Sequence, residues 1–237
     1  MQMNAPIRHT ADVVPLGIGY YTVPEASRLL KIPPRNIQRW LAGYKYEERG
    51  RTRSMAPLWQ PELPARDHHL ELSFRDLIEL RFIKAFLDTG LGLKTIRACL
   101  EYARECVDDL RPFSTRKFRT DGKTIFLESA QRTGNEELLD LKKHQFVIKE
   151  VIARTFKDLD IEDDAVARWR PYRGKRTIII DPQRAFGQPI ASHSGVPTVV
   201  LADAAKAEGS AKNAARLFGI PIAVVQDAIN FEKSLAA

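Results

Sequence analysis

The chain has 237 residues, of which 44% are hydrophobic and 28% charged. This composition is typical of a globular protein and excludes wholesale disorder. No apolar run approaches the roughly 20 residues of a membrane-spanning helix, and the first residues lack the apolar core of a signal peptide, so we expect a cytoplasmic protein that spans no membrane. The two cysteines, Cys99 and Cys106, are too few for a disulfide scaffold and are predicted to be reduced packing residues.

The net charge of +7 is unevenly distributed along the chain. Residues 31–60 contain seven basic and two acidic side chains, whereas residues 177–237 contain five of each kind. A local excess of basic charge favours a polyanionic partner such as nucleic acid, and a neutral segment does not. The two ends of the chain are therefore expected to meet different kinds of partner.

The first predicted elements are two short helices. Residues 22–30 form the first, with Thr22 or Val23 as the N-cap and a proline in the first turn. Two consecutive prolines interrupt it, and a second helix is predicted over 34–42, followed by Gly43 as a helix-ending residue. This spacing is typical of a helix-turn-helix.

The second helix has one apolar face and one polar face. Ile37, Trp40 and Leu41 lie on the apolar side. Arginine can read guanine and Asn or Gln can read adenine in the major groove, and a basic loop like the one around Gly50 suits phosphate contacts. The candidate DNA-binding residues are Arg35, Asn36, Gln38, Arg39, Lys45, Arg49, Arg51 and Arg53. The alternative is a solvated amphipathic helix followed by an ordinary basic loop.

The middle of the chain mixes helix and strand signals. A helix is predicted from an N-cap at Ser73 to near Gly90, and a shorter one buries Ile96, Leu100, Ala103 and Val107. Asp121-Gly122 between two β-prone arms over 118–127 predicts a β-hairpin. The remaining predictions here are a strand at Phe146-Val147-Ile148, a helix from there to Phe156, and a second hairpin over 159–170.

The segment Pro171–Arg176 is the best candidate boundary, dividing the chain into residues 1–170 and 171–237. The second part is predicted to contain a strand at 178–180 and helices at about 201–208, 210–218 and 222–234. The residues expected to face inward in the last two helices are Ala211, Ala214, Ala215, Phe218, Ile222, Val225 and Ile229. The predicted class is α+β, mainly helical, with short β-hairpins in the first part and a small helical, helix-turn-helix-like second part.

Residues 20–100 resemble the DNA-binding domain of MerR-type regulators. The resemblance rests on the 20–40 helix pair, the basic wing after it, and a Phe-x-Asp-Leu helix followed by a Gly-containing turn and a Leu-x-x-Ile helix. In this chain the last two elements are Phe74, Asp76, Leu77, Gly90, Gly92, Leu93 and Ile96. The resemblance implies a winged helix-turn-helix and a homodimer on operator DNA. MerR-type regulators usually continue into a long dimerisation helix, where this sequence has hairpin signals, so metal or drug sensing is not implied.

Residues 178–231 resemble a small domain of unknown function that occurs in VapB-type antitoxins. The matching motifs are Ile180-Asp181-Pro182, Phe186-Gly187-Gln188-Pro189, Gly195-Val196-Pro197-Thr198 and Ala228-Ile229-Asn230-Phe231. Joined to a MerR-like front, this resemblance implies an antitoxin of a type II toxin–antitoxin module. Such a protein represses its own operon and neutralises a PIN-domain ribonuclease toxin. An ordinary helical dimerisation module is the alternative for this segment.

No catalytic set is predicted. Gly17-Ile18-Gly19 lacks the third glycine of a dinucleotide loop, and His68-His69 lacks a second ligand pair at metal spacing. The carboxylates Asp158, Asp160, Asp163 and Asp164 are interpreted as an acidic hairpin tip. We therefore expect a non-enzymatic protein without cofactor or metal. A stand-alone MerR-like regulator, or a protein-interaction adaptor without DNA binding, are the alternatives to the antitoxin.

Overall fold

A computed structural model of the chain describes residues 17–65, 69–133 and 141–236. Helices predominate over short strands in these ranges, which confirms the predicted α+β class. Across the same ranges, no helix combines the length and the apolar character needed to cross a bilayer.

The elements follow one another along the chain with short connections. The helices are α1 Val23–Leu30, α2 Pro34–Ala42, α3 Phe74–Leu87, α4 Leu93–Val107, α5 Arg116–Thr133, α6 Leu141–Phe156, α7 Thr198–Ala207, α8 Ala211–Phe218 and α9 Ile222–Ala236. The strands are β1 Tyr21–Thr22, β2 Tyr44–Glu48, β3 Arg51–Met55, β4 Glu71–Leu72, β5 Leu159–Glu162, β6 Ala165–Trp169, β7 Ile178–Ile180 and β8 Pro189–Ala191. All strand pairs are antiparallel: β1 with β4, β2 with β3, and a four-stranded sheet in the order β5-β6-β7-β8.

Helices α1 and α2 have the predicted bounds because local signals define their ends. Thr22 caps α1: its hydroxyl accepts the Glu25 amide at 3.4 Å, and the Glu25 carboxylate accepts the Thr22 amide at 2.8 Å. Lys31 ends the helix in the left-handed conformation, with φ of 54°. Pro34 then starts α2 at a position where a missing N–H costs nothing.

Helix α3 forms the centre of the main core. Ser73 caps it as predicted, and its phenylalanines pack against those of neighbouring elements. The Phe82 ring centroid lies 4.9 Å from that of Phe156 and 6.0 Å from that of Phe113. Since these rings come from distant parts of the chain, the aromatic cluster joins α3 to α6 and to the turn before α5.

The predicted hairpin at 118–127 is wrong, because these residues lie inside helix α5. Phe118, Ile125 and Phe126 recur at helical spacing and are all buried in the main core. Gly122 packs so closely that a Cβ there would lie 3.0 Å from Ile152 Cδ1 of α6. The glycine thus serves helix–helix packing, and tertiary burial overrides the local Asp-Gly turn signal.

The strand predicted at Phe146-Val147-Ile148 is also wrong, since α6 is helical from Leu141 to Phe156. Its buried residues Ile148, Val151, Ile152 and Phe156 follow the spacing of a helix face. The apolar run at 146–148 was too short to distinguish a strand from a buried helix turn. The helix ending at Phe156 is confirmed.

The second predicted hairpin is confirmed as β5 and β6, with Asp163 and Asp164 in the turn between them. The other two acids of this group have different roles. Asp158 forms an ion pair with Arg81 at 2.6 Å and accepts the Trp169 indole N–H at 3.1 Å. Only half of the predicted acidic tip therefore lies at the tip.

The four-stranded sheet spans the predicted boundary, because β6 pairs with β7 through Trp169 and Ile180. Further hydrogen bonds join residues 171–236 to the front of the chain. The Tyr21 hydroxyl donates to the Gly187 carbonyl at 2.7 Å, and the Lys31 ammonium donates to the Ser234 carbonyl at 2.6 Å. The division into residues 1–170 and 171–237 stays a prediction.

The three C-terminal helices agree with the predicted ones, and Ser210 caps α8 while Gly219 ends it. Ala214, Ala215 and Val225 are buried as expected. Ile222 is 52% exposed, so its inward assignment is wrong. It is the first residue of α9, where the chain has only just left the turn that follows α8.

Candidate nucleic-acid interface

Helix α2 presents its polar face outward because its apolar face is held in the core. Ile37, Trp40 and Leu41 are all buried. The Trp40 carbonyl accepts the Leu58 amide at 2.7 Å, so the segment after the hairpin folds back along the helix. The outward side chains are Arg35 and Gln38, which are exposed, and Asn36 and Arg39, which are half-buried.

The predicted basic loop is a β-hairpin, β2–β3, whose two-residue turn is Arg49-Gly50. Both turn residues have positive φ, 51° and 72°, as a tight turn compatible with strand twist requires. Arg49, Arg51 and Arg53 are all exposed. The hairpin therefore carries its arginines at and next to a projecting tip.

Arg39 connects the helix to the hairpin. Its guanidinium carbon lies 3.8 Å from the centroid of the Tyr44 ring, and the Tyr44 and Tyr46 centroids are 5.9 Å apart. Tyr46 is paired across the hairpin with Arg53, whose Nε lies 2.6 Å from Glu48 Oε2. One face of the hairpin thus continues the polar face of α2. We call the outward side chains of α2 together with this hairpin face the α2–hairpin surface.

The candidate residues do not all lie on that surface. Lys45 is paired with Ser54 and, because strand side chains alternate, lies on the face opposite Tyr44 and Tyr46. Gln38 points to a groove of about 540 Å³ beside α1, which is also lined by Pro24. The structure brings Arg39, Arg51 and Arg53 to one side and separates Lys45 and Gln38 from them.

Gly43 fixes the junction between α2 and the hairpin. Its φ is +73°, and a Cβ at this position would lie 2.6 Å from the Met55 carbonyl oxygen. The loop after β3 is held in turn by Arg97, which donates to the carbonyls of Ala56 at 2.8 Å and Pro57 at 2.9 Å. Substitution at residue 43 would therefore move the hairpin relative to the helix.

A buried polar junction supports this surface from below. Asp76 Oδ1 accepts the Trp59 indole N–H at 2.9 Å and Arg111 Nε at 2.7 Å. Its Oδ2 accepts the amides of Ser73 at 3.1 Å and Glu62 at 3.0 Å. Asp76 is fully buried and Arg111 is 7% exposed, so each depends on the other for compensation of its charge.

Glu79 lies one turn further along α3 and is also fully buried. Its carboxylate accepts the amides of Ser114 at 2.8 Å and Phe113 at 3.3 Å. Burial raises the pKa of Glu79 to about 8, although these hydrogen bonds and the nearby Arg75 oppose that rise. We refer to Asp76, Glu79, Arg111 and their partners as the α3 junction.

Sequence reasoning missed both the tyrosines and the α3 junction. The alternation Tyr44-x-Tyr46 before a turn was a usable strand signal. The partners of Asp76 and Glu79 lie 17 to 35 positions away along the chain, at distances that no local pattern reports.

The predicted packing cysteines are both free thiols in the structure, with Cys99 buried and Cys106 half-buried. Burial raises the pKa of the Cys99 thiol, and the nearby Cys106 adds to that rise. Of the pair His68-His69, the first lies outside the described residues and the second is exposed. Over residues 17–65, 69–133 and 141–236, no group of three or more His, Cys, Asp or Glu side chains could hold a metal ion.

No family model matches the chain. It is similar to a protein of Mycobacterium tuberculosis named "Putative antitoxin VapB45", with 27% identity over 224 residues that cover 89% of this chain and 92% of that protein. It is also 28% identical over 131 residues to the "Uncharacterized HTH-type transcriptional regulator Rv1830" of the same species, covering 55% of this chain and 51% of the relative. The chain thus aligns with only about half the length of that regulator.

Among solved structures, the chain resembles the crystal structure of Rv2018 from Mycobacterium tuberculosis, with a TM-score of 0.72 and 24% sequence identity. The likeness covers 91% of this chain and 100% of the other, and it supports the fold alone. The names of the sequence relatives support an antitoxin or regulator role, and neither name is that of an enzyme.

Proposed function

We propose that the chain is a DNA-binding antitoxin of a type II toxin–antitoxin module, acting in the cytoplasm. It represses its own operon and neutralises a PIN-domain ribonuclease toxin. The similarity to a protein with an antitoxin name extends over nearly the whole chain, which supports the antitoxin role. The helix-turn-helix name of the second relative supports the DNA-binding role.

In this proposal residues 20–100 act as a MerR-like winged helix-turn-helix. Helix α2 enters the major groove, where Arg35, Asn36, Gln38 and Arg39 read base edges. The hairpin β2–β3 is the wing, and Arg49, Arg51 and Arg53 contact phosphate. Lys45 lies on the other hairpin face and contributes only to the general electrostatic attraction.

The observation that carries the proposal is the stacking of Arg39 on Tyr44 at 3.8 Å. It orients a half-buried arginine of the helix against the hairpin, so that base-reading and phosphate-contacting groups form one continuous surface. Because a stacked guanidinium loses less side-chain freedom on binding than a free one, this arginine is partly preorganised for recognition.

The roles of helix and wing can be separated with operator variants. Arg39→Ala should cost about 1–3 kcal/mol of binding free energy at one base-pair position and relax specificity there. Arg51→Ala should weaken binding to all sequences alike and flatten the dependence of affinity on salt. Fluorescence anisotropy on a panel of single-base operator variants measures both effects. Indistinguishable behaviour of the two variants across the whole panel would show that the assignment is wrong.

The toxin partner is tested by co-expression with the product of the neighbouring reading frame. We expect a stable complex and loss of that protein's ribonuclease activity. A chain that binds its promoter specifically but captures no such protein is the stand-alone regulator. A chain that binds partners but shows no salt-dependent DNA binding is the adaptor.

We also propose a homodimer, since two copies double the contacts to a two-fold operator. Light scattering coupled to size-exclusion chromatography measures this directly. The expected mass is twice the 26.9 kDa of one chain, and a monomer on DNA as well as in solution would contradict the dimer.

A further inference from the structure

A second basic surface lies outside the α2–hairpin surface. It is a groove of about 540 Å³ between α5, α6 and the β5–β6 hairpin. Its basic side chains are Arg119, Lys123, Lys149, Lys157 and Arg170. The rest of the lining is formed by Thr120, Thr124, Ile152, Ala153, Phe156 and Leu159, so neither aspartate nor glutamate lines the groove.

The basic side chains converge because of helical spacing. Arg119 and Lys123 are four residues apart on α5 and share a face, and Lys149 and Lys157 are related in the same way across two turns at the end of α6. Gly122 permits the close approach of the two helices, since its Cα position contacts Ile152. The two helix faces therefore form opposite walls of one groove.

Most of this charge is uncompensated within the protein. Arg170 is partly neutralised, since its Nη2 lies 3.4 Å from Asp160 Oδ1 and it donates to the Lys157 carbonyl at 3.0 Å. In the described part of the chain, the charged groups of the other four have no carboxylate within ion-pair distance. Gathering like charges in one groove is unfavourable unless a polyanion occupies it.

The lining favours a phosphate backbone over an unstacked base. Proteins that bind single strands present exposed aromatic rings for stacking. The aromatic ring in this lining, Phe156, is 4% exposed and belongs to the core. Lysines, arginines and threonine hydroxyls are the groups that contact phosphates of duplex DNA without regard to sequence.

We propose that the α5–α6 groove, lined by these five basic residues, binds the phosphate backbone of duplex DNA as a second, sequence-independent contact. The inference rests on the proposed DNA-binding function and extends it. The α2–hairpin surface supplies sequence discrimination, and the groove supplies affinity for flanking or non-specific DNA.

The test replaces one lysine on each wall, Lys123→Gln with Lys149→Gln, in the full chain. The matched control is Lys206→Gln with Lys212→Gln, two exposed lysines on α7 and α8 that change the net charge equally. Anisotropy titrations use the promoter duplex and a scrambled duplex over a salt series, and circular dichroism melts verify folding. If the first pair is unfolded, Arg119→Gln with Lys149→Gln takes its place, because both side chains are exposed.

Two lost phosphate contacts should lower the slope of log affinity against log salt by about 1.8 and weaken binding on the order of tenfold near 0.15 M salt. The loss should be equal on both duplexes, so that the ratio between them is unchanged, and the control pair should match the wild type. A slope equal to that of the control pair overturns the inference. So does a groove variant that binds both duplexes normally but loses affinity for poly-glutamate, which would assign the groove to an acidic protein.

Failure of the inference is distinguishable from failure of the proposed function. If only the groove variants behave like wild type, Arg39→Ala still loses promoter discrimination and the proposed function stands. If the wild-type chain itself does not distinguish promoter from scrambled DNA, the proposed function fails as well.

Discussion

The α2–hairpin surface and the α3 junction are both rich in charged residues, but they treat charge in opposite ways. On the surface, Arg49 and Arg51 are exposed and free to meet a partner. In the junction, Asp76 is fully buried and four donors satisfy its two oxygens. Exposed charges contribute little to folding free energy, whereas a buried charge that loses its partner costs several kcal/mol. The surface arginines are therefore available for binding because the junction maintains the fold.

The largest expected effect comes from breaking the junction. Asp76→Ala should lower the free energy of unfolding by about 3–5 kcal/mol, because it leaves the Arg111 guanidinium buried and the Trp59 and Glu62 donors unpaired. Chemical denaturation measures the change. Asp88→Ala is the control, since this exposed partner of Lys84 should cost at most about 1 kcal/mol. Equal losses in the two variants would contradict the contrast between buried and exposed charge.

The next effect concerns the connection between α2 and the hairpin. Gly43→Ala should lower the free energy of unfolding by about 1–3 kcal/mol, since it forces a positive φ on alanine and brings a Cβ against the Met55 carbonyl. Gly50→Ala has nearly the same φ of +72° but meets nothing within 4 Å, so it should show only the conformational cost of about 1 kcal/mol. The difference between the two melts isolates the close approach, and no difference would show that the junction has room to adjust.

The third prediction uses the pH dependence of stability. The pKa of Glu79 is raised from its ordinary value near 4.5 to about 8 in the folded chain, so the folded state binds the proton more tightly than the unfolded state. Its contribution to stability is fully present below about 4.5 and is lost as the pH rises towards 8, with a slope of up to about 1.4 kcal/mol per pH unit.

Glu79→Gln removes this titration while keeping the shape of the side chain. The difference in unfolding free energy, wild type minus variant, should therefore fall between pH 5 and pH 8. Denaturation series at three pH values in that window measure it. A difference that rises over the same window would mean that the carboxylate is stabilised as an anion by Ser114, Phe113 and Arg75.

Much of the fold followed from local signals in the sequence. The bounds of α1, α2 and α3 could be predicted because caps such as Thr22 and Ser73 act within three residues. Helix α5 could not, since Asp121-Gly122 is a turn signal locally and the packing of Gly122 against Ile152 becomes evident only in three dimensions. The same limit applied to α6, where three apolar residues fit strand and helix equally well.

The candidate surface divided in a similar way. The identity and exposure of Arg35, Arg49, Arg51 and Arg53 followed from periodicity and charge. The position of Lys45 on the opposite hairpin face depended on strand register, which the sequence did not specify without the turn at Arg49-Gly50. The stacking of Arg39 on Tyr44 depended on how α2 packs beside β2, and it was not foreseen.

The central claim is that the α2–hairpin surface makes this chain a specific reader of DNA. Fluorescence anisotropy of the wild-type chain with its own promoter duplex and with scrambled DNA, across a salt series, tests it most directly. We predict binding to the promoter that is tighter by about 10³ or more, with affinity falling steeply as salt rises. Equal affinity for the two duplexes, or no binding to either, would contradict the account.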